Sequence, residues 1–232
     1  MKLDVEGLHS GYGDLIILHG LDLHVGSGEI FAVLGHNGVG KTTLMRTIIG
    51  LLRPLKGEIG ADDRHIGGLP PHAIARMGIA YIPQEAALFA DLTVLQNLQV
   101  AFSGPRGAFE DACDRALTHF PFLRERYQQR AGTLSGGQQK MLLLARALLP
   151  DPRLILSDEV TEGVQPSQIH RMGEVISQLN ETHATTVVLV EQHIDFALDI
   201  ADGYAVMKQG RIAAEGKIGA EARAAVQSEL AL

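Results

Sequence analysis

A glycine-rich loop between a predicted strand and a predicted helix constrains the fold of this chain most. Residues 35–42 read Gly-His-Asn-Gly-Val-Gly-Lys-Thr and match the pattern G-x-x-x-x-G-K-[ST] at every specified position. Residues 29–34 before the loop, which are apolar from Ile30 onward, predict a short buried strand, and residues 43–49 after it predict a helix. This order favours an α/β fold with a phosphate-binding loop between strand and helix. A glycine-rich turn without a ligand is the alternative.

The residue types in this loop suit a bound polyphosphate. Glycines let backbone N–H groups turn inward around phosphates, Lys41 can reach the terminal phosphates, and the Thr42 hydroxyl can ligate Mg²⁺. The helix that follows turns its positive N-terminal end toward the same anion. We therefore expect the chain to bind a nucleoside triphosphate. The expected binding residues are Gly35, Asn37, Gly38, Gly40, Lys41, Thr42 and Thr43.

Composition excludes several classes of protein. The chain has 232 residues, of which 27 are acidic and 20 basic, so it has no basic footprint for nucleic acid. A single cysteine, Cys113, rules out an internal disulfide framework. The N-terminus alternates like a strand rather than a signal peptide, and no apolar run approaches the roughly 18 residues that span a bilayer. We expect a soluble, cytoplasmic chain.

The order of predicted elements indicates a mainly parallel sheet with a helical insertion. The first 34 residues read as strands separated by glycine-rich breaks. Strand signals are absent over residues 93–149, where 95–102, 109–119 and 138–149 have helical spacing. A buried strand returns at 154–157, and helices then alternate with strands.

Two carboxylates follow that returning strand. A sheet would hold Asp158 and Glu159 at its carboxyl edge, beside the phosphate loop. Asp158 could then bind Mg²⁺ through water, and Glu159 could polarise an attacking water molecule. An apolar strand that ends in two solvated acids is the alternative, which the phosphate loop in the same chain makes weaker.

Residues 134–138, Leu-Ser-Gly-Gly-Gln, predict a second anion site. Ser135 is a good N-cap, and Gly136 and Gly137 leave backbone N–H groups bare at the start of the next helix. A capped helix after a flexible turn is the alternative. The fragment resembles the signature motif of ATP-binding-cassette (ABC) ATPases, and the resemblance covers nearly the whole chain in the family's motif order.

This resemblance implies a fold, ligands and a dimer. The implied fold is α/β: a phosphate-loop NTPase (RecA-like) core with an N-terminal antiparallel β subdomain and an inserted α-helical subdomain. One domain would span residues 1–232, with the core and β subdomain at about 1–84 and 150–232 and the helical signature subdomain at about 85–149. ATP and Mg²⁺ are the implied ligands. In the family, the signature of one subunit closes over phosphates held by the other, which implies a head-to-tail dimer.

Further family positions can be assigned on this resemblance. Tyr12 falls where the family places an aromatic that stacks on adenine, although a turn tyrosine is the alternative. Gln84 matches the glutamine that senses the γ-phosphate and Mg²⁺ and links the nucleotide site to the helical subdomain. The implied metal ligands are thus Thr42, Gln84 and Asp158.

The chain departs from the family pattern at three places. Val160 replaces the usual proline after Glu159, which frees the backbone of that turn. Gln165 stands at or near the position where the family commonly has an aspartate. That position belongs to the D-loop, which serves communication between the two nucleotide sites of the dimer. The usual register of the last motif places Gln192 at the position of the switch histidine, with His193 as the alternative. A glutamine can donate a hydrogen bond to a γ-phosphate but cannot take up a proton near neutral pH.

The departures also resemble one subgroup. Residues 162–166 and 190–192 are similar to ATP-binding subunits of uptake systems for branched-chain amino acids, with urea or short-amide systems as the alternative. In such systems the cassette works with a second ABC ATPase subunit, identical or related, with transmembrane permease subunits and with an external binding protein. This implies a location on the inner face of the cell membrane. Residues 85–90 would then receive the permease, with Leu88 and Phe89 as an apolar receptor or as ordinary core.

Two rival classes remain open. A catalytically weak regulatory cassette would fit the departures at Val160, Gln165 and Gln192. A non-transport ABC ATPase acting on DNA would carry a long coiled coil between the two anion-binding motifs, whereas the interval here is short and the charge is acidic.

Overall fold

The computed structural model describes residues 1–84, 88–105 and 107–231. It has two β-sheets with helices packed around them. The first sheet is antiparallel and four-stranded, in the order β2-β1-β4-β5. Its strands are β1 (Leu3–Tyr12), β2 (Leu15–Val25), β4 (Lys56–Ala61) and β5 (Arg64–His65).

The second sheet has six strands in the order β10-β9-β3-β8-β7-β6. All neighbouring pairs are parallel except β9 with β10, which is an antiparallel hairpin. Its strands are β3 (Ile30–Leu34), β6 (Ile79–Ile82), β7 (Leu154–Asp158), β8 (Thr186–Glu191), β9 (Gly203–Lys208) and β10 (Arg211–Lys217).

Helices connect β6, β7, β8 and β9 of the second sheet in chain order, whereas turns join β1 to β2 and β4 to β5 of the first sheet. Strands β6 and β7 are neighbours in the sheet, but a long stretch of chain separates them. Among its described residues, the helices and strands assigned to this stretch are all helices. The helices are α1 (Lys41–Ile48), α2 (Pro71–Ala75), α3 (Val94–Ala101), α4 (Phe109–Thr118), α5 (Phe122–Glu125), α6 (Gly136–Leu148), α7 (Pro166–His183), α8 (Ile194–Ile200) and α9 (Ala222–Leu230).

The central strands are apolar because both of their faces are covered. In β3, Ile30, Ala32 and Leu34 belong to the core cluster that also contains side chains of α6, α7 and α8. Phe31 and Val33 point the other way, into a second cluster with side chains of α1 and of the antiparallel sheet. The phosphate loop therefore leaves the sheet from a strand that is fixed on both sides.

The structure confirms the predicted fold class and most predicted elements. The helices predicted over 95–102 and 138–149 begin one and two residues earlier, respectively, and each ends one residue earlier. Sequence reasoning missed β5, α5 and β10. In β10, burial alternates along residues that include two alanines and a glycine, which is a weak strand signal.

In the part of the chain that the structure describes, every helix is too short or too polar to cross a bilayer.

Candidate functional site

The phosphate loop passes directly from β3 into α1. Gly40 lies just before α1 and has a φ of 109°, a backbone conformation that L side chains rarely adopt. A Cβ added there would lie 2.9 Å from Cε of Met207 and 3.0 Å from Cγ2 of Ile17. Glycine at position 40 thus satisfies both the backbone angle and the close packing that hold the loop against the sheet.

Lys41 is the first residue of α1, and its side chain turns back under the loop. Its ammonium donates hydrogen bonds to the backbone oxygens of Gly35 (2.9 Å) and His36 (3.0 Å). It also lies 3.0 Å from Oε1 of Glu159, and both side chains of this ion pair are almost completely buried. The lysine ammonium is therefore held by two backbone oxygens of the loop and by the Glu159 carboxylate.

Thr42 and Asp158 meet between α1 and the end of β7. The Thr42 hydroxyl donates to Oδ1 of Asp158 at 3.2 Å, and the Tyr81 hydroxyl donates to Oδ2 at 3.1 Å. Burial raises the pKa of Asp158 above its usual range, although these two hydrogen bonds act in the opposite direction. Burial also raises the pKa of the Tyr81 phenol, which remains a donor near neutral pH.

The carboxylate of Glu159 is the centre of a polar cluster. Besides its ion pair with Lys41, it accepts hydrogen bonds at Oε2 from the amide groups of Gln84 (2.7 Å) and Gln192 (2.8 Å). The backbone of Glu159 is left-handed, with φ at 49°, and its N–H donates to the oxygen of Val190 at 2.8 Å. A left-handed glutamate is uncommon, and here it turns the side chain from the strand end toward Lys41.

Gln84 contacts both the acidic residues near the end of β7 and the helix α6, which begins at the signature. Its amide also donates to Oε2 of Glu162 at 2.9 Å, and its backbone oxygen accepts from the Lys140 ammonium of α6 at 2.7 Å. Burial lowers the pKa of Lys140, while nearby carboxylates, Glu162 first among them, act against that effect. Gln84 thus joins the cluster around Glu159 to the helix that begins at the signature.

The two candidate switch residues have different surroundings. The Gln192 amide contacts the side-chain oxygen of Asn37 in the phosphate loop, in addition to Glu159. His193 caps α8 instead, with its ring Nδ1 accepting from the backbone N–H of Phe196 at 3.3 Å. Gln192 is therefore beside the expected phosphates, whereas the His193 ring is engaged at a helix end.

The signature residues lie at the start of α6, as predicted. Ser135 is the N-cap and forms a reciprocal capping box with Gln138. A Cβ added at Gly136 would meet no atom of the described residues within 4 Å, whereas one at Gly137 would collide with the Gln168 side chain. Gly136 thus leaves open space at the start of α6, and Gly137 permits close packing against α7.

One cavity unites most of the predicted residues. A cavity of about 400 Å³ is lined by residues of the phosphate loop, by Gln84 and by Glu159. A neighbouring cavity of about 420 Å³ is lined by Gly136 and Lys140 and also by Gln84. Tyr12 lines neither cavity; its ring is exposed at the end of β1, and its hydroxyl accepts from Arg46 of α1 at 3.2 Å.

The oxygen donors at the loop fit Mg²⁺. This ion prefers oxygen ligands, keeps several waters and is usually bound by one or two carboxylates together with substrate phosphates. Thr42 lines the cavity, and its hydroxyl contacts the Asp158 carboxylate; together they form the donor set that such an ion needs from the protein. Gln84 directs its amide N–H groups at carboxylates.

Sequence reasoning missed several partners of the site. No pattern predicts a role for Tyr81 or Lys140, although each contacts a predicted site residue. The ring of His36 in the phosphate loop hydrogen-bonds the backbone oxygen of Leu230 at 2.7 Å, which brings α9 against the loop. Contacts over such sequence separations leave no local signal in the sequence.

The proposed permease receptor is only partly described, since Glu85, Ala86 and Ala87 lie outside the described residues. Leu88 packs against the core, and Phe89 is half exposed. The Arg146 guanidinium lies 5.6 Å from the centre of the Phe89 ring. Exposed aromatic surface is thus present where the sequence predicts a partner.

A parallel sheet with a phosphate loop after β3 and two acids at the end of β7 defines a phosphate-loop nucleoside triphosphatase. A protein-family model described as "ABC transporter" matches residues 18–162. The chain belongs to the ABC transporter family, as an ATP-hydrolysing cassette.

Curated relatives agree with this assignment. The chain is 39% identical over 211 residues to BraG, the high-affinity branched-chain amino acid transport ATP-binding protein of Pseudomonas aeruginosa, with 90% of each chain covered. It is 34% identical over 231 residues to LivG, a protein of the same description from Escherichia coli, with 92% of this chain and 91% of LivG covered.

Solved structures share the whole fold. A nucleotide-free ATP-binding cassette from an ABC transporter superposes with a TM-score of 0.89 at 28% identity, covering 100% of this chain and 98% of that one. A dimeric ATP-binding cassette in a post-hydrolysis state, bound to ADP and phosphate, superposes with a TM-score of 0.82 at 25% identity, covering 94% and 99%.

Proposed function

We propose that this chain is the ATP-hydrolysing subunit of a membrane importer for branched-chain amino acids. The observation that carries the proposal is the meeting of Lys41, Gln84 and Glu159 at the cavity of the phosphate loop. These residues come from three separate parts of the chain, and each has the chemistry that ATP hydrolysis needs at that place. BraG and LivG are described as branched-chain amino acid transport ATP-binding proteins, which supports branched-chain amino acids as the cargo.

The loop residues would bind and orient the phosphates of ATP. Lys41 is already desolvated and aimed into the cavity, so a phosphate oxygen would compete with Glu159 for its charge. Thr42 and Asp158 would hold Mg²⁺, which would supply positive charge to neutralise the phosphates. Tyr81 holds the other oxygen of Asp158 and so fixes the carboxylate plane.

Glu159 would orient and polarise the attacking water. Its carboxylate now accepts hydrogen bonds from Gln84 and Gln192 and pairs with Lys41. When phosphates engage Lys41 and Gln192, one carboxylate oxygen becomes available to a water molecule. Gln192 would then donate a hydrogen bond to the γ-phosphate, a role that needs no change of protonation.

A second cassette would complete the site. The related dimeric cassette bound to ADP and phosphate supports a dimer of this kind. Gly136 leaves open space at the start of α6, where the partner's phosphates would bind the N-terminal end of the helix, with Ser135 beside them. The partner would be a second copy of this chain or a related subunit, and closure of the pair would exclude water from the reacting phosphates.

Residues 85–149 would act as a helical subdomain that transmits this closure to the permease. The Lys140 contact to the Gln84 backbone joins that subdomain to the nucleotide site. A cavity of about 530 Å³ lies between β6 and α6 and is lined by Pro83, Leu143 and Arg146. It adjoins Phe89 through Arg146, and a permease segment would dock there.

The working complex would comprise two cassettes, transmembrane permease subunits and an external amino-acid-binding protein. The chain would sit on the cytoplasmic face of the cell membrane, since ATP is cytoplasmic and cargo selection belongs to the other subunits. Nucleic acid is not an expected partner of a chain with a formal charge of −7.

The test is ATP hydrolysis by the membrane complex, purified through a tag on this chain and reconstituted in vesicles. We expect the external receptor loaded with leucine, isoleucine or valine to stimulate hydrolysis, and a complex with Glu159→Gln to lose that stimulation. Stimulation by urea or short amides instead would assign a different cargo. Copurification of no permease would contradict the importer assignment.

A further inference from the structure

Glu191 is a buried acid that the proposed mechanism does not use. It is the last residue of β8 and is 1% exposed. Its carboxylate accepts two hydrogen bonds from one residue: Oε2 from the hydroxyl of Thr161 at 2.7 Å, and Oε1 from the Thr161 backbone N–H at 3.3 Å. Both bonds cross from the end of β8 to the turn that follows β7.

The sheet itself does not require an acid at this position. Glu191 pairs in register with Leu34 at the end of β3, where an apolar side chain is buried. Burying a carboxylate costs free energy unless its hydrogen bonds are replaced. An apolar residue would therefore serve the sheet at least as well, and the acid must be explained by what it holds.

What Glu191 holds is the turn that aims Glu159. That turn begins with the left-handed Glu159 and continues through Val160 to Thr161. Val160 occupies the position where the family usually has a proline. A proline ring would fix the backbone angle φ there, so the turn lacks that covalent restraint. The hydrogen bonds of Glu191 to Thr161 supply a restraint of another kind, two residues beyond Glu159.

Glu191 also adjoins Gln192 in the chain. Gln192 donates to Glu159 at 2.8 Å, so both Glu191 and Gln192 contact the turn after β7 through their side chains. Together with the hydrogen bond from the Glu159 N–H to the Val190 oxygen, these contacts join the proposed base to the strand end that precedes the proposed switch residue.

We infer that Glu191 is a positioning residue for ATP hydrolysis, which acts through Thr161 to hold the turn that orients the Glu159 carboxylate. This inference rests on the proposed role of Glu159. It predicts an effect on the chemical step rather than on ATP binding, because neither Glu191 nor Thr161 lines the cavity of the phosphate loop.

The test compares kcat with the ATP dissociation constant in six variants of the membrane complex. Glu191→Ala and Thr161→Ala should lower kcat about 10-fold or more, because small misplacements of a reacting group are costly. ATP affinity should change less than about twofold. Glu191→Gln and Thr161→Ser should restore kcat, since a glutamine amide at position 191 can accept from the Thr161 N–H and donate to its hydroxyl oxygen.

Thr185→Ala is the matched control. Thr185 is a buried threonine just before the opposite end of the same strand, and its hydroxyl donates to the backbone oxygen of Pro152 at 3.4 Å. Its loss should leave kcat within about twofold. If Glu191→Ala does not fold, Thr161→Ala against Thr161→Ser decides the question.

Three results would overturn the inference: wild-type kcat in Thr161→Ala, equal losses of kcat and ATP affinity, or a Glu191→Gln variant as inactive as Glu191→Ala. A Glu159→Gln variant in the same series separates this failure from failure of the proposed function. If Glu159→Gln hydrolyses ATP at the wild-type rate, the proposed base is wrong, whatever the Glu191 variants do.

Discussion

The ammonium of Lys41 lies 3.0 Å from a carboxylate oxygen of Glu159, and both side chains are buried. The residue that would bind phosphate and the residue that would activate water are therefore each other's partners. Removing one member of a buried ion pair leaves an uncompensated charge. We therefore expect this pair to couple ATP binding to ATP hydrolysis.

Glu159→Gln should strengthen ATP binding while it removes hydrolysis. Without the carboxylate charge, Lys41 loses the anion that competes with the phosphates, so we expect the ATP dissociation constant to fall a few-fold. Equilibrium dialysis with labelled ATP and Mg²⁺ measures this. Glu162→Gln is the control, since Glu162 contacts Gln84 through the same kind of hydrogen bond. Weaker ATP binding in Glu159→Gln would contradict the competition.

Gln192→Ala and His193→Ala should separate hydrolysis from stability. Gln192 contacts Glu159 and Asn37, so its loss should lower the hydrolysis rate about 10- to 100-fold. His193 caps α8, so its loss should keep most hydrolysis and lower the free energy of unfolding by about 1 kcal/mol. Phosphate release and urea denaturation measure the two effects. The reverse pattern would place the switch at His193.

Tyr12 should contribute to ATP affinity through its ring rather than its hydroxyl. If the exposed ring stacks on adenine, Tyr12→Ala should raise the ATP dissociation constant about 3- to 10-fold with little change in kcat. Tyr12→Phe keeps the ring but loses the hydrogen bond from Arg46, and it should bind ATP within about twofold of wild type. Equal losses in both variants would show that the Arg46 contact matters instead.

Stability should depend on pH through Glu191. Burial raises its pKa to about 7, above the ordinary 4.5, although the hydrogen bonds from Thr161 oppose the shift. The folded chain therefore holds this proton more tightly than the unfolded chain, and the free energy of unfolding should fall as pH rises from about 4.5 to about 7.

Glu191→Gln removes that titration. The variant should be more stable than wild type at pH 8, by the order of 1–3 kcal/mol, and the difference should vanish near pH 4.5. Urea denaturation of both chains at the two pH values measures this difference. The contributions of other titrating groups to the free energy of unfolding cancel, because both chains contain them. A stability difference that does not change with pH would mean that Glu191 does not titrate in this range.

The sequence predicted the parts of the site that are local in the chain. The loop from Gly35 to Thr42, the acids after β7 and the cap at Ser135 each depend on neighbouring residues, and the structure places all of them as expected. The sequence could not show that Gln84 lies 2.7 Å from Glu159, because that contact depends on β6 and β7 being neighbours across a long helical insertion.

Other features of the site could not be predicted from the sequence for the same reason. His36 meets Leu230 only after the whole chain has folded, and the role of Glu191 depends on the turn at Thr161, which belongs to another strand end. From the sequence alone, we expect a looser turn at Val160 because the usual proline ring is missing there. The contact between Glu191 and Thr161 shows how the fold restrains the same turn without that ring.

The most direct measurement is phosphate release by the membrane complex that carries Glu159→Gln in this chain alone. If this chain is a competent ATPase, the rate should fall at least about 100-fold for its own site, and total hydrolysis should drop accordingly. If the complex hydrolyses ATP at the wild-type rate, this chain is a catalytically weak cassette, and the proposed role of Glu159 is wrong.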